Sequence, residues 1–319
     1  MAGLVVAALG GNAIQRADER GTAPEQRRNL RKAARVLADL VDAGNRLVLT
    51  HGNGPQVGTL LIQAERAADE VAPAPVDVLV AETQGWMGYL IAEALDRELE
   101  ARGREERCAV VLMRVLVDAR DPAFKNPSKP VGPHFDPSTG ETVGRERGWV
   151  MKRVAVASGK PTVRRVVASP RPLKLVDLEA VRALLKRGLI PITVGGGGIP
   201  VVSKDRALVG VEGVIDKDLA SGLLAAELKA DRFLVLTDVE KVASHFGKDD
   251  QADIDRMTAT EARQWIAERE FPPGSMKTKV EGAILYIERG GKEAVICHLE
   301  SMARALAGKT GTRIVPDRR

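Results

Sequence analysis

Apolar runs of five or six residues, each closed by glycine or a polar cluster, alternate with longer stretches whose apolar positions recur every three or four residues. Leu4 to Leu9 is apolar throughout and stops at Gly10-Gly11-Asn12, which predicts a buried strand and a turn. Pro24 then opens a predicted helix in which Leu30, Ala34, Leu37 and Val41 share one face, and Gly44 ends it. Residues 46–50, RLVLT, predict a second strand, followed by HGNGPQ and another helical segment. Strand and helix alternate twice by residue 70, which argues for a layered α/β fold with a largely parallel sheet.

The same rhythm continues with a long helical stretch, VDVLVAETQGWMGYLIAEALDRELEARG, and a strand, CAVVLMRVLV. It breaks from Asp121 to Pro172, where Pro, Gly, Lys and Arg accumulate; an inserted subdomain or lid is expected there. A helix near Asp177 to Arg187 leads into a strand at 189–194 and the run Gly195 to Gly198. Beyond it, a turn and helix (VIDKDLASGLLAAELKA), a strand (RFLVLTDV), a helix near Thr260 to Arg269, a helix reaching about Arg289, and strands EAVICH and TRIV complete the chain. The natural boundary between two lobes falls near residue 190.

Bulk properties narrow the function classes. A chain of 319 residues holds one large or two moderate domains. Its net charge of +5 comes from 48 basic and 43 acidic residues, a mixed solvated surface rather than a nucleic-acid patch, and aromatics at 3% are not spaced as a base-stacking platform. Cys108 and Cys297 stand far apart with no Cys-x-x-Cys, against a disulfide scaffold or a zinc site and in favour of a reducing cytoplasm. The first apolar run ends at Gly10, short of the roughly 20 residues a membrane span needs.

Candidate chemistry gathers at the glycine turns. LGGN and THGNG each follow a strand, where α/β sheets bind ligands, yet neither fits Gly-x-x-x-x-Gly-Lys-[Ser/Thr] or Gly-x-Gly-x-x-Gly. The four glycines of PITVGGGGIPVV suit a close anion, a lobe crossing or a tight structural turn. In VIDKD, a helix cap accounts for one aspartate, but not for Lys217 at the positive helix end bracketed by Asp216 and Asp218. Phosphoryl transfer needs such cations, with carboxylates to orient them. Lys129 and Lys279, flanked by Pro or Gly, are further candidates, and His51 is a base, a ligand or a hydrogen-bond partner. Neither His-Glu-x-x-His nor Gly-x-Ser-x-Gly occurs.

Taken in order, VVAALGGNAI, LVLTHGNGPQVGTLL, AETQGWMGYLI, FKNPSKPVGP, ITVGGGGIPVV, GVIDKDLAS and FPPGSMKTKVEGAI closely resemble the carbamate kinases of the amino acid kinase superfamily, from residue 4 to about 298. The resemblance implies a three-layer αβα sandwich with a mainly parallel central sheet. Residues 1–190, with a protruding subdomain at about 121–172, would bind carbamate or carbamoyl phosphate, and residues 191–319 would bind the nucleotide. The implied reaction is ATP + carbamate = ADP + carbamoyl phosphate, with Mg²⁺ carried on the ATP or ADP phosphates and no metal site of the protein's own. Gly10, Gly11 and Asn12 would cradle the phosphoryl group, and Gly52 and Asn53 the carbamate. Lys129 would reach in from the subdomain, Lys217 and Lys279 would neutralise the transferring group, and Asp218 would orient the lysines. Gly195, Gly196, Gly197, Asp216, Met276 and Lys277 join Lys217 and Lys279 as implied nucleotide-binding residues. A cytoplasmic homodimer without nucleic-acid or membrane partners, acting in arginine metabolism, is also implied.

Many superfamily members carry a lysine just before the first Gly-Gly; Ala8 and Leu9 stand there here, and Lys129 would substitute. Lys277 beside Lys279, and the segment RERGWVMKRVAVASGKPTVRRVV, depart from the family pattern. Two other readings keep the fold: a kinase with another small carboxylate or phosphate acceptor, and a non-catalytic nucleotide-binding sensor.

Overall fold

A computed structural model describes residues 3–16, 18–154, 162–271 and 275–317, except for the side chains of Asn12 and Ser275. Its main sheet has eight strands, in the order Arg256–Thr258, Thr312–Val315, Ala294–His298, Arg232–Thr237, Leu4–Leu9, Arg46–His51, Ile190–Ile192 and Cys108–Val110. Neighbours run parallel except Ala294–His298 against Thr312–Val315. Leu4–Leu9 lies in the interior of the sheet, pairing Val5 with Arg232 on one side and with Leu47 on the other. A parallel strand covered on both faces has no polar side, which is why this run reads as continuously apolar.

The alternation of side chains builds two cores. Val6, Ala8 and Val48 face a layer containing Leu223, Leu224, Ala283 and Ile284, from helices Lys217–Glu227 and Ser275–Glu288. Val5, Ala7, Leu47 and Leu49 face Leu30, Leu37, Met87 and Ile91, from helices Ala23–Asp42 and Val76–Ala101. Each fully buried Val, Leu or Ile stabilises the sandwich by about 1.5–3 kcal/mol. Helix Ala23–Asp42 buries the predicted face of Leu30, Ala34, Leu37 and Val41, and a capping box between Thr22 and Glu25 starts it.

The segment 108–117, expected as one strand, divides. Cys108–Val110 stays at the edge of the main sheet, whereas Arg114–Leu116 joins a second sheet with Lys174–Leu175, Ile199–Lys204 and Ala207–Gly210. The cause lies in a side chain: Gln84 Nε2 donates to Met113 O at 3.3 Å while Gln84 Oε1 accepts from Met113 N at 2.9 Å. That amide withdraws Met113 N from the main sheet, while Met113 O also accepts from Ile199 N at 2.8 Å and so opens the pairing of the second sheet. Between residues 129 and 167 a separate antiparallel sheet, Lys129–Phe135, Thr162–Val167 and Met151–Val154, packs with helix Pro137–Arg147. This is the region where the composition breaks the rhythm.

Candidate active site

Two strand-end turns lie back to back. Gly10 N donates to Leu236 O at 3.0 Å, and a Cβ on Gly10 would stand 2.9 Å from that same oxygen. Gly52 N donates to Leu9 O at 3.1 Å, and a Cβ on Gly52 would stand 3.3 Å from Gly11 N. Glycine at both positions lets the two backbones meet; the Gly10 and Gly52 amides are spent on those carbonyls, so an anion between the turns falls to the amides that follow them. Asn12 occupies the 3₁₀ turn Gly11–Ala13, but its side chain lies outside the described residues.

The second turn is braced from the Val76–Ala101 helix. Asn53 Nδ2 donates to Thr83 Oγ1 at 2.8 Å, and Thr83 Oγ1 donates to Val80 O at 2.7 Å. His51 is buried; burial holds its pKa down at about 4, with Lys217 adding to the depression and a 3.0 Å contact between Nδ1 and Gly52 O opposing it. A neutral ring there donates from Nδ1 to Gly52 O.

A stability consequence follows from the sign of that shift. The unfolded chain protonates His51 below about pH 6.5 and the folded chain only near 4, so the stability present above 6.5 is lost as pH falls through this window. The loss attributable to His51 is about 3 kcal/mol. Urea midpoints at pH 7.5 and 4.5 are expected to fall further apart for the wild type than for a His51→Gln variant; equal differences would remove His51 as the cause.

The four-glycine run is seated on this side of the site. Gly196, Gly197 and Gly198 have φ of 62°, 94° and 90°, and Val194 precedes them at φ 53°. A Cβ on Gly195 would come within 2.4 Å of His51 Nε2, and one on Gly196 within 2.1 Å of Asn53 Nδ2. Gly195, Gly196 and Gly197, assigned from the resemblance to the nucleotide phosphates, are buried, with Gly195 against His51 and Gly196 against Asn53, and none of them lines the cavity described below. The bare backbone admits the side chains that shape the turn.

Charge converges on Asp216–Asp218. Asp216 Oδ1 accepts from Asp218 N at 2.9 Å and caps the Lys217–Glu227 helix, while Asp216 Oδ2 accepts from Lys129 Nζ at 3.1 Å. Asp218, 3% exposed, stands between Lys217 Nζ at 2.9 Å and Lys279 Nζ at 3.3 Å. Burial alone would raise the Asp218 pKa, but Lys217 and Lys279 outweigh it and hold the carboxyl below its ordinary value. Burial depresses Lys217, with Lys279 adding to the effect and Asp218 opposing it. Beyond this 2.9 Å ion pair, neither Lys217 Nζ nor Asp218 Oδ1 has a hydrogen-bond partner. A buried ammonium with donors still to satisfy favours an anion beside it.

The helices bearing Asp218 and Lys279 touch through glycine. A Cβ on Gly222 would lie 2.2 Å from Gly282 O, and one on Gly282 would lie 2.3 Å from Asp218 O. This backbone approach brings Lys279 to Asp218. Lys277, by contrast, is half-exposed and 3.8 Å from Glu281, and Met276 packs on the core. Of the two neighbouring lysines, Lys279 is the one that lines a cavity of about 470 Å³, together with Gly10, Gly11, Leu236, Thr237 and His298. That volume suits a small-molecule ligand. Thr83, Gln84, Thr237 and His298 were not among the sequence candidates; polar residues in the apolar pattern of AETQGWMG were the available signal for the first two.

The chain matches the amino acid kinase family over residues 3–298. It is 45% identical to the carbamate kinase of Pyrococcus furiosus over 98% of this chain and 99% of that protein. The Thermococcus kodakarensis carbamate kinase is also 45% identical, over 98% of each chain. The structure superposes on carbamate kinase from Giardia lamblia bound to AMP-PNP with a TM-score of 0.92, 36% identity and 99% of both chains covered. With this sandwich, this lysine cluster and these full-length likenesses together, the chain belongs to the carbamate kinases of the amino acid kinase family.

Proposed function

We propose that the protein transfers a phosphoryl group reversibly between MgATP and carbamate, giving MgADP and carbamoyl phosphate. The observation that carries this reading is the meeting of Lys129, Lys217 and Lys279 at Asp216 and Asp218. Three ammonium groups against two carboxylates leave one positive charge at the site. A carbamate oxygen attacks the γ-phosphorus in line, the new O–P bond forms as the bond to the ADP oxygen breaks, and the departing electron pair stays on ADP. The attacking group is already an anion, so alignment and charge stabilisation are the protein's task.

In this reading Gly10, Gly11 and Asn12 hold the phosphoryl group, and Gly52 and Asn53 hold the carbamate. Lys129, Lys217 and Lys279 spread the developing charge, while Asp216 and Asp218 hold the lysines in place. The nucleotide extends into the cavity beside Lys279, with residues 191–319 as its lobe and 1–190 as the lobe for the acceptor. The ion-paired carboxylates of Asp216 and Asp218 are already committed to lysines, and among the described residues no three His, Cys, Asp or Glu side chains converge on one point. In this reading Mg²⁺ travels with the nucleotide phosphates as part of the substrate. Homodimer formation, a cytoplasmic setting and a part in arginine metabolism belong to the same proposal; sedimentation equilibrium reads the first. No helix among the described residues is long and apolar enough to cross a membrane.

The test is ATP formation from MgADP with carbamoyl phosphate, compared with acetyl phosphate and acetylglutamyl phosphate. Carbamoyl phosphate is expected to be the preferred donor. Preference for another acyl phosphate would move the acceptor, and failure of every donor with intact ADP binding would favour a sensor.

A further inference from the structure

Thr50 Oγ1 and Ser221 Oγ lie 2.6 Å apart, joining residues 171 positions apart in the chain, and neither residue is exposed to solvent. Their surroundings are apolar: Val48 shares the strand face of Thr50, and Ala220, Leu223 and Leu224 adjoin Ser221 in the same core. Replacing both hydroxyls by apolar groups of like shape costs a fold little, because each hydroxyl serves chiefly to satisfy the other. Packing therefore does not require the pair, and its effect has to be sought in what it holds in register.

Thr50 immediately precedes His51-Gly52-Asn53, the turn assigned to the acceptor. Ser221 lies four residues, about one turn, after Lys217, so the two share a face of helix Lys217–Glu227. On that face the Lys217 side chain passes within 3.8 Å of the place a Gly52 Cβ would occupy. The neighbouring face, with Asp218 and Gly222, meets Gly282 and Lys279. One helix thus sets Lys217 by its contact with a strand and Lys279 by its contact with another helix.

We propose that the Thr50–Ser221 hydroxyl pair is the positioning contact that registers Lys217 over the Gly52–Asn53 turn. The proposal rests on the phosphoryl-transfer reading, since its consequence is the in-line meeting of acceptor oxygen and phosphorus. A misplacement of about 1 Å there costs on the order of 100-fold in rate. Neither residue touches the reacting atoms; both act through Lys217 and the turn.

The experiment compares wild type with Thr50→Val, Ser221→Ala, the double variant and Thr50→Ser. kcat and KM are read with carbamoyl phosphate and MgADP, alongside the thermal midpoint and a crystal structure of Thr50→Val. Thr50→Val is expected to lower kcat about 10- to 100-fold with both KM values within about threefold, because placement rather than binding is lost. The double variant is expected to be no worse than the poorer single variant, and Thr50→Ser, which keeps the hydroxyl, to return kcat to near the wild-type value. Wild-type kcat in Thr50→Val, or a loss that Thr50→Ser does not restore, overturns the proposal. If wild type itself makes no ATP from carbamoyl phosphate, the phosphoryl-transfer reading fails instead. The crystal structure then decides the registration: Lys217 displaced from Gly52 in Thr50→Val supports it, and Lys217 unmoved overturns it.

Discussion

Asp218→Asn is expected to abolish most turnover and to destabilise the fold at the same time. The carboxylate is 3% exposed and faces Lys217 and Lys279 at 2.9 and 3.3 Å. An asparagine of nearly the same shape leaves two buried ammonium groups side by side with their shared counter-charge removed. Breaking a buried ionic contact in this way costs about 3–5 kcal/mol. Repulsion then drives one lysine out of place or deprotonates it, and losing a charged donor aimed at the transition state lowers kcat about 100- to 1,000-fold. Urea denaturation and the coupled ATP assay measure the two losses on one preparation. A variant that keeps wild-type stability would show that the lysines do not depend on Asp218.

Lys129→Ala is expected to separate those two effects. The Lys129 side chain is 39% exposed, so its 3.1 Å pair with Asp216 contributes at most about 1 kcal/mol. Asp216 also retains its hydrogen bond from Asp218 N, and the helix cap survives. The thermal midpoint should therefore barely move while kcat falls by about two orders of magnitude or more. Near-normal turnover would refute a catalytic role for Lys129 and would leave the missing first-strand lysine, where Ala8 and Leu9 stand, without a substitute.

Much of the scaffold was legible because its determinants are local. The apolar run Leu4 to Leu9 marks its strand end to end, the Leu30, Ala34, Leu37 and Val41 stripe marks its helix, and the helix expected near 177–187 forms at Leu178–Lys186. Lys217 between Asp216 and Asp218 was legible as a charge out of place at a positive helix end, whereas Lys129 and Lys279 gained their roles only from the family resemblance. What was not legible depends on partners distant in sequence. The break within 108–117 is imposed by Gln84, and the seat of the four glycines by His51 and Asn53. The placement of Lys279, rather than Lys277, beside Asp218 follows from the approach of Gly222 to Gly282. Periodicity carries no record of such cross-chain contacts.

The main sheet runs unbroken through both halves of the molecule, with residues 5–9 paired one for one to residues 232–236. Shearing that seam to admit a substrate would rupture the ladder at its most buried strand, so the sandwich acts as a fixed anvil. Strands Lys129–Phe135 and Thr162–Val167 lie outside that sheet and join the body through side chains: Val131 and Val167 pack with Val57, Leu61 and Val80, Lys129 pairs with Asp216, and Arg165 pairs with Glu212. Backbone deuterium uptake should consequently be faster in Lys129–Phe135 than in Leu4–Leu9, and slower there once ligand fills the cleft.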